Sequence, residues 1–111
     1  MNYRKFSDAS LRENKDFILD TVKLNSEALK YADETIKKDK NIVMEAVKQN
    51  GLTLEYADKN LKKDREIVIE AVKQNGFSLE HATDNLKKDP EILREAMRNN
   101  NYVKIYLSIN D

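Results

Sequence analysis

The chain has no cysteine and no tryptophan, one histidine, one proline and two glycines in 111 residues. Without cysteine there are no disulfides, thiolate nucleophiles or thiolate zinc sites, and His81 alone leaves little material for imidazole catalysis or metal binding. Scarce glycine and proline mean few obligatory turns. Neither sign of charge is in excess: 20 basic and 20 acidic residues cancel, and the isoelectric point is near 6.6. A nucleic-acid-binding domain normally carries a basic surplus. No stretch approaches the roughly 18 apolar residues of a membrane helix, so a soluble, non-spanning chain is expected. The opening run Met1-Asn2-Tyr3-Arg4-Lys5-Phe6 meets Ser7-Asp8 instead of an apolar segment, so no secretory signal is read and a cytoplasmic location is expected. GxGxxG, GxxxxGK and HExxH motifs are all missing, which removes the common phosphate-cradling and metalloprotease signatures.

What the chain does have is helix formers in abundance and an internal repeat. Residues 39–63 and 64–88 agree at 17 of 25 positions, from Asp39-Lys40-Asn41-Ile42-Val43 onward to Asn60-Leu61-Lys62-Lys63. The frame extends upstream through Phe17-Ile18-Leu19-Asp20-Thr21-Val22-Lys23 and downstream through Glu91-Ile92-Leu93-Arg94-Glu95-Ala96-Met97. One domain of 1–111 is expected, divided into a half-unit 1–13, units 14–38, 39–63 and 64–88, and a partial unit 89–111.

Each unit reads as two helices. In the first, Ile42, Val43, Ala46 and Val47 form one apolar arc at about 100° per residue. Asp39, Asp64 and Asp89 are its N-caps, with Pro90 tolerated at the first helical position. Asn50-Gly51 and Asn75-Gly76 end it, glycine being expected in the left-handed conformation. The second helix carries Leu54, Ala57 and Leu61, repeated as Leu79, Ala82 and Leu86, with Thr53 and Ser78 as candidate N-caps. Helices of about ten residues do not persist alone in water, so the units must stack. The expected fold is all-α: a short α-solenoid of antiparallel helical hairpins with a 25-residue repeat.

The pattern Glu66-Ile67-Val68, Glu70-Ala71-Val72-Lys73-Gln74-Asn75-Gly76, Leu79-Glu80-His81-Ala82 and Asn85-Leu86-Lys87-Lys88-Asp89 resembles a short helical repeat of bacterial and some viral proteins. That family is a domain of unknown function, DUF4116. The resemblance implies a helical repeat over nearly the whole chain and implies no activity, cofactor or catalytic residue.

Equivalent side chains of a stacked repeat lie in columns. The aromatic column is Phe6, Tyr31, Tyr56, His81 and Tyr106, and Lys38, Lys63 and Lys88 fall seven residues after its middle members. On one continuous helix that spacing leaves each pair about 20° apart, so tyrosine and lysine would share a strip. Such a strip suits an extended peptide or a single-stranded nucleic acid, while plain inter-repeat packing and solvated lysines are the alternatives. Asp20/Lys23, Glu45/Lys48, Glu70/Lys73 and Glu95/Arg98 read as outward i, i+3 ion pairs, and Asn25, Asn50, Asn75 and Asn100 as capping residues.

The expected function is a non-enzymatic protein-binding module that uses Tyr31, Tyr56, His81, Tyr106, Lys38, Lys63 and Lys88. No catalytic residue, metal, cofactor, membrane partner or small-molecule substrate is expected. The competing readings are a nucleic-acid-binding module using the same strip, and a small inhibitor of a nuclease or immune effector in phage–host conflict, of the anti-CRISPR kind.

Overall fold

In the computed structural model the described residues are 11–99, with side chains described from 15 to 98. They are helical throughout and contain no strand. Four longer α-helices are α1 (Leu11–Leu24), α3 (Lys40–Gln49), α5 (Arg65–Gln74) and α7 (Pro90–Asn99). Between them lie 3₁₀ helices at Ser26–Tyr31, Gly51–Tyr56 and Gly76–His81. Each 3₁₀ helix is followed by a single α-turn: α2 (Glu34–Lys37), α4 (Lys59–Lys62) and α6 (Asp84–Lys87). From Ser26 onward every element start recurs at the 25-residue interval of the sequence.

The second limb of each unit is therefore not the single helix that Leu54, Ala57 and Leu61 suggest. It breaks at Ala32, Ala57 and Ala82, whose ψ angles of 157°, 155° and 164° are extended. At two of the three breaks the next amide turns to the preceding unit: the Asp58 N–H donates to the Lys37 carbonyl at 3.0 Å, and the Thr83 N–H to the Lys62 carbonyl at 3.2 Å. An amide spent on a neighbouring unit cannot continue its own helix. Asp33 and Asp58 then restart the chain as N-caps, accepting from the Ile36 and Asn60 amides.

The longer helices start as expected. Asp39, Asp64 and Asp89 each accept from the amides two and three residues on, and Pro90 occupies the first helical position. Helix α1 differs, because it begins at Leu11 and carries Asn14, which stands in the aspartate column, inside the helix. At the other end, Asn50 has its N–H bonded to the Ala46 carbonyl, closing α3, while its Oδ1 accepts from the Leu52 N–H and opens the 3₁₀ helix. Asn25 and Asn75 do the same. These asparagines are the caps, whereas Thr53 and Ser78, expected to cap the second limb, are buried inside it.

No glycine has positive φ, so the expected left-handed ending is absent. Gly51 is needed for space instead: a Cβ there would lie 2.1 Å from the Ala71 carbonyl oxygen of the next unit.

The core is a set of columns. Ile42, Ile67 and Ile92 form one; Ala46, Ala71 and Ala96 another; Val22, Val47 and Val72 a third; Leu29, Leu54 and Leu79 a fourth, all buried. α1 packs on α3, α3 on α5 and α5 on α7, while successive 3₁₀ helices pack on one another. The principal extents are 52 × 24 × 19 Å. Among the described residues no helix is long and apolar enough to cross a membrane.

Candidate interaction surface

Tyr31, Tyr56 and His81 each end a 3₁₀ helix, at the residue before the extended alanine. Tyr31 is 82% exposed, and the Lys30 ammonium sits 5.7 Å from its ring centroid, within cation–π range. Tyr56 is half-buried, and its hydroxyl donates to Glu27 Oε1 of the preceding unit at 3.1 Å. That bond, followed by burial, pushes the phenol above its ordinary range. Its ring thus covers part of the seam between units. His81 is also half-buried. Tyr106 and Phe6 lie outside the described residues.

Lys38, Lys63 and Lys88 are exposed and cap the C-termini of α2, α4 and α6. The 20° offset between tyrosine and lysine required one continuous helix, and the break after each aromatic residue removes that geometry. Among the described residues no hydrogen bond, ion pair or ring–cation contact joins the aromatic column to these lysines; the cation over Tyr31 is Lys30. Tyr31 and the three lysines share exposure at repeated positions, and Tyr56 and His81 are partly withdrawn from solvent.

A second set of columns was not anticipated. Lys15 pairs with Asp39 at 3.3 Å, Lys40 with Asp64 at 3.1 Å and with Glu66 at 2.7 Å, and Arg65 with both Asp89 and Glu91. Lys40 and Arg65 begin their helices and Lys15 lies in the second turn of α1, and each reaches the capping aspartate of the next longer helix. The hydrogen bonds to Glu66 and Asp64 hold Lys40 above its ordinary pKa, and those to Asp89 and Glu91 do the same for Arg65. The Arg65 guanidinium in turn holds Asp89 below the usual carboxylate range. The signal was present in the sequence: the column Lys15, Lys40, Arg65 is cationic and stops at Pro90. Each aspartate is accounted for locally as a cap, so its charge partner becomes evident only once the units are stacked.

The i, i+3 pairs fared less well. Of the four expected, Glu95–Arg98 forms, at 3.3 Å. Glu70 instead accepts from Gln74 Nε2 at 3.0 Å. Chemically, the surface offers isolated charges, exposed rings and ion pairs already satisfied between units; among the described residues no three His, Asp or Glu side chains converge as metal ligands would.

No curated protein and no solved structure matches the chain. One family profile does, a domain of unknown function, over residues 14–62 and again over 64–110, each match spanning about two of the 25-residue periods. Those two matches cover most of the sequence, and the chain belongs to the DUF4116 family.

Proposed function

We propose that the chain is a short α-solenoid that works as a non-enzymatic protein-binding module in the cytoplasm. Its hairpins have one α-helical limb and one limb made of a 3₁₀ helix and an α-turn. The observation that carries this reading is the order of packing, with each longer helix set on the next one in sequence and equivalent side chains aligned at every step. Such stacks present long, shallow, rigid faces, which suit an extended protein partner better than a small substrate.

Tyr31 with Lys38 and Lys63 are the contacts of choice, because they are exposed and make no bond that the fold needs. Tyr56, His81 and Lys88 are secondary contacts, and Tyr106 belongs to the same column. An exposed tyrosine and exposed lysines at repeated positions favour a partner that is acidic and partly apolar.

The test is a paired pull-down from native lysate with and without nuclease, using the wild type and Tyr31→Ala/Lys38→Ala/Lys63→Ala. The expected result is a stoichiometric protein that survives nuclease and is lost in the triple variant, while the variant keeps its circular dichroism and melting temperature. A partner retained by the variant sinks this surface. Capture that vanishes with nuclease and weakens steeply with salt replaces the reading with nucleic-acid binding. A single dominant effector enzyme that loses activity in the complex makes the module an inhibitor.

A further inference from the structure

The four units do not treat equivalent positions alike, and the difference is concentrated on α1. Ile42, Ile67 and Ile92 are at most 2% exposed, yet Phe17 in the same column is 65% exposed. Seven residues on, where the next two units carry exposed Gln49 and Gln74, the first carries Leu24, 89% exposed. Phe17 and Leu24 are separated by about 700° of helix, so they lie within about 20° of each other on one face and two turns apart along it. Nothing in the stack requires leucine at that position, since glutamine serves in the other units.

The flank beside this stripe carries Asp16, Asp20 and Lys23, all exposed. Among the described residues none of the three makes an ion pair. When two identical helices meet antiparallel about a two-fold axis, each flank faces its own copy running the other way. With Phe17 of one helix level with Leu24 of the other, Lys23 falls opposite the interval between Asp16 and Asp20 of the partner, on both sides of the axis. The stripe and its flank are self-complementary only in that orientation.

We propose that α1 is a homodimerisation surface: a second copy of the chain docks antiparallel on Phe17 and Leu24, with Lys23 of each protomer set against Asp16 and Asp20 of its partner. The zero net charge imposes no long-range repulsion on this pairing. A head-to-tail stack of copies is disfavoured by the ion-pair columns. Pro90 stands where Lys15, Lys40 and Arg65 supply the cation, and Asn14 stands where Asp39, Asp64 and Asp89 supply the carboxylate. The last unit of one copy and the first unit of the next therefore could not form that cation–aspartate contact, and the association closes at two.

Sedimentation equilibrium or multi-angle light scattering over a concentration series reaching about 1 mM decides the matter. The wild type should rise from 12.9 kDa toward twice that mass and stop. Leu24→Glu should stay at the monomer mass, and Lys23→Glu should weaken association at least about tenfold. Asp16→Lys/Asp20→Lys/Lys23→Glu restores the complementarity with signs exchanged and should dimerise again. All the substituted side chains are exposed, so circular dichroism and melting temperature should hold in each case. A wild type that stays at 12.9 kDa throughout overturns the proposal, including the case in which residues 1–10 of the same chain cover the stripe. So does a dimer that Leu24→Glu leaves intact, or a mass that climbs past two copies.

Discussion

Gly51 lies directly against Ala71, twenty residues further along the chain and one unit away: a methyl group at Gly51 would stand 2.1 Å from the Ala71 carbonyl oxygen and 2.7 Å from Ser78 Oγ. That oxygen belongs to the backbone, and it also accepts the N–H of Asn75 at 3.0 Å, so it cannot swing aside as a side chain could. The close approach sets how tightly the second unit seats on the third.

Gly51→Ala should accordingly destabilise the protein by about 1–3 kcal/mol, the usual cost of overpacking, although intrinsic propensity alone favours alanine in a helix. Urea denaturation of the two proteins checks it. An unchanged or raised midpoint would mean that the two units are not held at this distance.

Ala71 is itself fully buried on the opposite side of that contact. Ala71→Asp would place a carboxylate where α3, α5 and α7 converge, with no cation within the core to receive it. A cost of several kcal/mol is expected, enough to unfold a domain of this size. Loss of cooperative thermal unfolding by circular dichroism is the expected readout, against full helicity for the exposed control Lys48→Asp.

Asp64 has two separable roles, capping α5 and receiving Lys40. Asp64→Asn keeps an oxygen for the cap and removes the charge, so its effect should be small. Asp64→Ala removes both and should cost about 1 kcal/mol more, the usual worth of an N-cap. Chemical denaturation of the pair gives the difference directly.

The Arg65–Asp89 contact makes a pH prediction. Asp89 titrates below its unfolded value of about 3.9, so its contribution to stability is present above that pH and is lost as pH falls through the lower folded value. Lys40 is shifted upward, so its contribution is present below its unfolded value of about 10.4 and is lost as pH rises through the higher folded one. Tyr56, raised by its bond to Glu27, likewise contributes below its unfolded value of about 10 and loses that contribution above it, so stability should be flat between the unfolded values of Asp89 and Tyr56. Arg65→Gln should move the Asp89 carboxyl upward toward the ordinary value in an NMR titration.

The parts of this architecture legible in the sequence are those encoded locally. The 25-residue period, the aspartate caps and Pro90 follow from residue identity at fixed offsets, and all are present. The break at Ala57 was hidden because Leu54, Ala57 and Leu61 fit a helical spacing even though they belong to a 3₁₀ turn, an extended residue and a new α-turn. Asp58, a capping residue in the middle of an apparent helix, was the available clue. The hydrogen bond that accompanies the break, from Asp58 to Lys37, joins two units, and no local pattern specifies it. The tyrosine–lysine strip depended on the same continuous helix and lost its geometric basis with it. The cation–aspartate columns were written in the sequence but needed the stacking before their partners could be named.

The stacking itself is tested most directly by duplicating residues 39–63 in frame, so that Lys63 is again followed by Asp39. A stack in which each unit touches its neighbours accepts another unit, so the enlarged chain should keep its helicity per residue, unfold cooperatively at an equal or higher temperature, and grow in length by small-angle scattering. Loss of cooperative unfolding, or growth in all directions equally, would contradict it.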